Sequence, residues 1–386
     1  MSIYQVGRLG KVYVKKEITY GVAPTFAATD ALRHLAVKTS ASLNRSDSLE
    51  RRGTPGLRDR FSRHIQAGFQ LDGYLQPSGT IQTIPEAHAL LESGFGVEVV
   101  GTGSSTVASG PSTTGATVAS ATGFAAGQMI SITELGGATP GVYNRLLTQV
   151  SGSALTWAPA LPTAVAVSDT IKSMVTYKFA NELPYAFTLA HYLPNLSVEV
   201  HGNVMQKFSF MFDANDELKF SASGPGKDRI RNAQTVPGSF TTVGTPVTGI
   251  LGAFLFNGVA YQIMKATFEV DNAEELQNDV YGTASALGFY RGGRRKVTFS
   301  IDARVTDDVT VITQAEAASD NTLLITCGNL EGKMATLYAP RAEFDVPDSP
   351  DGDGALTWSF KGVCKETLAG AGGSLTAGND ELFFGI

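Results

Sequence analysis

A repetition constrains this chain more than any other feature: a β-rich pattern near the N-terminus recurs near the C-terminus at fixed offsets. Gly68-Phe69-Gln70-Leu71-Asp72-Gly73-Tyr74 alternates apolar and polar side chains, as a strand with one buried face must, and Thr298-Phe299-Ser300-Ile301-Asp302-Ala303-Arg304 repeats it. Asp302 lies 230 positions after Asp72. A short helix candidate follows each strand, Pro85 to Leu91 and Gln314 to Ala318, with Glu316 again 230 positions after Glu86. Upstream, Leu43-Asn44 with Asp47 to Glu50 resembles Asp271-Asn272 with Glu274 to Gln277, Asn272 lying 228 positions after Asn44. Each leads into an arginine cluster, Arg51 and Arg52 to Arg63, and Arg291 to Arg295.

The later part of the unit matches at a different spacing. Leu218 to Gly224 aligns with Leu356 to Gly362 at an offset of 138, and Ala186-Phe187-Thr188-Leu189 aligns with Leu324-Ile325-Thr326-Cys327 at the same offset. The difference between 230 and 138 places about 92 extra residues between Glu86 and Ala186 of the first copy. Composition changes there: from Gly101 to Asp169 the only charged residues are Glu134, Arg145 and Asp169. Phe124 to Ile132, Ser153 to Trp157 and Ile171 to Tyr177 read as short strands, so the insert is expected to be a small β-module rather than a linker; a long ordered loop is the alternative. The organisation expected is a first domain over 1–94 and 185–225, an inserted module over 95–184, a linker over 226–258 and a second domain over 259–386.

The fold class expected is all-β with a few short helices, because Val, Phe, Thr and Tyr are frequent and stretches with helical periodicity are few. The 42 glycines fit many tight turns. No apolar run approaches the roughly 20 residues that span a bilayer, and Met1 to Lys16 lacks a signal-peptide core, so synthesis and folding in the cytoplasm are expected. Cys327 and Cys364 read as small buried side chains. A net charge of -6 exerts no general pull toward nucleic acid.

Motifs for chemistry are lacking: no phosphate loop, zinc-binding His pair, nucleophile elbow or Cys-x-x-Cys occurs, and the five histidines show no ligand spacing. The reading is of a non-enzyme without metal or cofactor. Asp345, Asp348, Asp351 and Asp353 lack the spacing and terminal Glu of a calcium loop, and align with the hairpin tip Asp213 to Asp216. The informative segments are two long polar loops, Asn44 to Arg60 and Asp271 to Arg295. Loops of this length in compact domains usually have a role, and mixed charge suits a contact that needs register. The candidate contact residues are Asp47, Glu50, Arg51, Arg52, Arg58 and Arg60 in the first loop and Glu274, Glu275, Arg291 and Arg294 in the second. Asn379, Asp380 and Glu381 in the C-terminal tail complete the set.

Several stretches, taken in order, resemble the tail tube proteins of long-tailed, siphophage-type bacteriophages. They are Lys16-Glu17-Ile18-Thr19-Tyr20-Gly21 with Pro24, Phe268-Glu269-Val270-Asp271-Asn272 with Tyr281-Gly282, Gly292 to Thr298, Pro340 to Phe344, and Gly378 to Leu382. They span nearly the whole chain outside the insert. The resemblance implies two tandem β-sandwich domains, each with a flanking helix, whose inner sheets join those of neighbours into a barrel around a channel. Simple members form rings of six single-domain subunits, so a duplicated chain implies a homotrimeric, pseudo-hexameric ring that stacks into a tube. Six chains in a larger ring is the alternative. The implied partners are further copies of the chain, the tape measure, terminator and distal tail proteins, and genomic DNA passing through without specific binding. The implied location is the virion tail. The implied mechanism is passive, with a lumen expected to be predominantly negative so that DNA does not stick. A tail hub or baseplate component, or a glycan-gripping adhesin using Trp157 and Tyr143 of the insert, is the competing reading.

Overall fold

The computed structural model describes residues 10–47, 60–135, 141–180, 185–194, 196–232, 238, 244–304, 309–348, 356–367 and 381–386. Its first part runs β1 (Lys11–Lys16), β2 (Ala31–Leu32), β3 (Ala36–Asp47), β4 (Arg60–Tyr74), α1 (His88–Phe95) and β5 (Gly96–Val100). Six strands of the insert follow: β6 (Ser104–Ser109), β7 (Gly115–Val118), β8 (Met129–Thr133), β9 (Val142–Ser151), β10 (Ala154–Ala158) and β11 (Thr170–Ser173). The first half resumes with β12 (Val175–Phe179), β13 (Phe187–Leu193), β14 (Leu196–Asn203), β15 (Lys207–Asp213), β16 (Lys219–Gly226) and β17 (Asp228–Asn232). The second half contains β18 (Ala253–Phe256), β19 (Val259–Tyr261), β20 (Ile263–Asp271), β21 (Glu274–Leu276), β22 (Phe289–Arg291) and β23 (Lys296–Arg304). It closes with α2 (Thr310–Glu316), β24 (Asn321–Cys327), β25 (Ala335–Phe344), β26 (Thr357–Cys364) and β27 (Phe383–Gly385). The fold is all-β with short helices, as expected.

One sheet runs through both halves in the order β3-β4-β16-β15-β20-β23-β26-β25, every neighbour antiparallel. The two sequence offsets meet in its register. Asp72 stands opposite Ser221, and Asp302, 230 positions on, stands opposite Ser359, which is 138 positions after Ser221. Gly224 and Gly362 share a physical requirement as well. A Cβ on Gly224 would lie 1.9 Å from the Val204 carbonyl oxygen, and one on Gly362 would lie 2.1 Å from that of Glu343. Only glycine lets the two backbones approach so closely.

Alternation does the remaining work. Phe208, Phe210 and Phe212 on β15, Phe268 on β20 and Phe299 on β23 face inward, and Ser209, Thr267 and Ser300 face away. Against this sheet pack β17-β14-β13-β1-β2 in the first half and β19-β18-β24-β25 in the second. The resulting core is continuous, since Leu90, Phe95, Phe210, Phe268, Leu337 and Phe384 belong to a single buried cluster.

The helix alignment needs correction. Glu316 is the last residue of α2, whereas Glu86 precedes α1 and holds Arg33, accepting a hydrogen bond from its Nε at 3.0 Å with an ion-pair contact of 2.9 Å beside it. Each helix is positioned by what it buries, Ala89, Leu90, Leu91 and Phe95 in α1 but only Ala315 in α2, so residue spacing from the strand does not carry over.

In the insert, β6 to β11 form a closed barrel in the order β10-β7-β6-β11-β8-β9. It has its own core, with Val107, Ile130, Leu147, Leu155, Trp157 and Ile171. Chain enters through β5 and leaves through β12, which pair with each other from Val100 opposite Val175 to Gly96 opposite Phe179. Barrel and second half share a small apolar contact of Met129, Leu146, Met174, Leu324, Tyr338 and Phe383, flanked by the Thr133 and Lys172 bonds to Glu331. The segment 226–258 begins and ends in strands: β17 pairs with β14, and β18 with β24. Cys327 and Cys364 are free and buried.

Candidate assembly surface

The two halves meet where β15 pairs with β20 over seven residues, from Lys207 opposite Asp271 to Asp213 opposite Lys265. Phe208 and Val270 face each other there, each 1% exposed. On the open face Lys207 Nζ lies 3.1 Å from Glu269 Oε1 and 3.7 Å from Asp271 Oδ2. These groups are half in solvent, so the ladder and the aromatic burial carry the seam while the ion pairs contribute register. Asn272 closes one end: its N–H donates to the Gln206 carbonyl at 2.8 Å, and its side-chain amide donates to the Gly94 and Met205 carbonyls at 2.9 and 3.1 Å.

The second long loop folds back over the first half as the hairpin β21–β22. Leu276 and Ala286 are buried with Ala186 and Val204, Phe289 packs on Tyr20, and the Ala284 carbonyl accepts the Ile65 N–H at 3.0 Å. Glu274 is inside this contact, 1% exposed, with Oε1 lacking a hydrogen-bond partner. Desolvation pushes its pKa up to about 8, and Arg291, opposite it in the ladder, pulls the value down only in part. Glu275 is exposed and accepts the Tyr290 hydroxyl at 3.0 Å, and Arg294 is exposed.

Glu17, a residue of the family-like N-terminal motif, is buried and well satisfied. Its carboxylate accepts the Gly21 N–H at 2.6 Å, the Thr188 hydroxyl at 2.7 Å and the Gly202 N–H at 2.7 Å. This ties down a loop whose tip, Ile18, is fully exposed; Tyr281 at the end of the hairpin is fully exposed too.

Residues 381–386 are internal, so Glu381, the described member of the C-terminal candidate set, does not stand on the surface of the single chain. Glu381 is buried and paired with Arg295, whose guanidinium lies 3.8 Å from the centre of the Phe179 ring. Strand β27 then fills the gap between β12 and β25, burying Leu382 to Ile386. Apolar content decides this: two phenylalanines, a leucine and an isoleucine outweigh the polar residues before them.

At the mouth of the first long loop Asp47 Oδ1 lies 2.7 Å from Arg60 Nε. Glu50, Arg51, Arg52, Arg58, Asn379 and Asp380 lie outside the described residues. The aromatic patch required of an adhesin is not formed by the residues expected to form it. Trp157 is 1% exposed in the barrel core, its indole N–H donating to the Thr113 carbonyl at 3.0 Å, and Tyr143 is half-buried beside Arg145. Glu134, Arg145 and Asp169 are all buried.

The sequence pattern pointed to the segment of the second loop but not to Asn272, Glu17 and Lys207 as contact-forming residues. The repeated Asn44 and Asn272 carried a signal for the first of these. Burial of Glu17 by backbone N–H groups carried none.

Two sandwich-like halves joined edge to edge through one sheet make up an all-β fold. The sequence matches the phage tail tube protein family over residues 7–362, and the chain belongs to that family. No curated protein matched it. It is therefore a structural component of a phage tail.

Proposed function

We propose that this chain is the tube subunit of a siphophage-type tail. Three copies form a pseudo-hexameric ring, and rings stack into the channel through which DNA passes to the host. The observation that carries this reading is the β15–β20 seam. It joins two halves of matching register into one sheet, which is the relation a ring requires between every pair of neighbours. Strand β3 pairs only with β4 among the described residues, leaving an edge for a further copy. The rings are capped and filled by the terminator, distal tail and tape measure proteins.

In this arrangement the open face of the shared sheet lines the lumen. Read this way the wall is of mixed charge rather than predominantly negative: Lys207, Lys219, Lys265 and Lys296 stand among Asp72, Glu269, Asp271 and Asp302, with Ser209, Ser221, Thr267 and Ser300 between them. Carboxylates beside the lysines keep the wall near neutral, which limits the counterion release that would bind DNA. The barrel then stands against the second half, away from the open face.

Electron microscopy of the purified protein tests the proposal. Rings of three chains with six similar inner lobes, stacking into hollow tubes, are expected. Persistent monomers at high concentration would refute it in favour of a hub or adhesin.

A further inference from the structure

Both outer edges of the shared sheet, as the described residues form it, carry positions whose counterparts lie in the internal seam. Lys207 faces Ser223, and Asp345, 138 positions after Lys207, donates its N–H to the carbonyl of Lys361, 138 positions after Ser223. Ala36 faces Asp72, and Lys265, 229 positions after Ala36, faces Asp302. The internal pair Phe208 and Val270 therefore maps onto Val346 and Ala41. Val346 is 59% exposed and Ala41 is exposed, whereas Phe208 and Val270 are each 1% exposed.

We infer that the segment after β25 of one copy adds to β3 of the next, with Val346 opposite Ala41 and Asp345 opposite Ser42. This rests on the ring reading above and gives it an address. Backbone direction agrees. Because the Asp345 N–H points to β26, those of Val346 and Asp348 point outward, and the donor that Pro347 lacks is one that would face β26. Thr39 presents an outward carbonyl, held in the single chain by Arg229 at 3.2 Å, and the incoming strand takes that place. Charge distinguishes this seam from the internal one. The counterparts of Lys207, Glu269 and Asp271 are Asp345, Ser40 and Ser42, so the β25 end suits the serine-lined β3 edge and would repel the acidic β20 edge.

At the pair Asp345 and Ser42 no N–H crosses the seam, the geometry in which side chains come closest and a disulfide fits. The test is the double variant Ser42→Cys with Asp345→Cys, assembled, oxidised and run on a non-reducing gel. Cys327 and Cys364 are buried, so the unsubstituted chain gives the background. Covalent dimers and trimers are expected, with the trimer largest, and much less product from Ser40→Cys with Asp345→Cys. Rings or tubes seen by microscopy without this cross-link, or with the shifted pair reacting better, would overturn the seam alone; absence of rings would overturn both readings. Val346→Glu, in parallel, is expected to raise the concentration needed for ring formation at least about tenfold, and unchanged assembly would refute the apolar contact.

Discussion

Replacing Phe384 with alanine tests whether the C-terminal strand welds the chain into one core. Phe384 is fully buried, its ring 4.9 Å from that of Phe210, 6.2 Å from Tyr177 and 6.4 Å from Phe95. Those partners lie on β15, β12 and α1, so one side chain packs against three elements of the first half from a strand that also pairs with β25 of the second half. Loss of a buried phenylalanine costs about 3–5 kcal/mol, transfer and cavity together. An unfolding entropy of about 2.1 cal/mol/K per residue gives roughly 0.8 kcal/mol/K for a chain of 386 residues that melts as a unit. A loss of about 4 kcal/mol then lowers Tm by about 5 °C, or about twice that if only half the chain melts together. Scanning calorimetry reads both the shift and the number of transitions, with the exposed Leu330→Ala as the reference substitution. A fall below about 1 °C would refute a core that passes through β27.

Other substitutions probe separate parts of the argument. Burial raises the Glu274 pKa from 4.5 to about 8, so between these values the folded chain keeps a proton that the unfolded chain has lost. Stability should therefore fall as pH rises through that window, by an amount on the order of a few kcal/mol, and Glu274→Gln should abolish the slope; denaturant melts at pH 5 and pH 8 decide it. Gly224→Ala and Gly362→Ala each force a methyl group onto a backbone carbonyl and should cost several kcal/mol, about 3 or more; near-native midpoints in urea would contradict the close approach. Because Val100 and Val175 are direct ladder partners, excision of 101–174 with a two-residue turn should leave a folded chain that still forms tubes, thinner on the outside by microscopy. Loss of soluble protein would instead show that the barrel is needed to cover Leu324, Tyr338 and Phe383.

Much of the architecture was readable before any coordinates. Alternation in Gly68 to Tyr74 and in Thr298 to Arg304 marked two strands and their buried faces, because a strand exposes its pattern locally with period two. The two offsets anticipated the register that sets Asp72 against Ser221 and Asp302 against Ser359. The helix offset failed, because a helix slides along a core until its apolar face is covered, and local spacing does not record where that occurs.

Sequence by itself determined the alternating strands and the all-β class, both of which depend on patterns within a few residues. Tertiary structure alone decided the rest. It turned Glu274 inward, closed the insert into a barrel around Trp157, drew the C-terminal strand between β12 and β25, and joined the halves along the β15–β20 ladder. Each of these outcomes pairs residues far apart in the chain, and which distant surfaces cover one another is settled by the total apolar area removed from water, a property of the whole fold that no single segment carries.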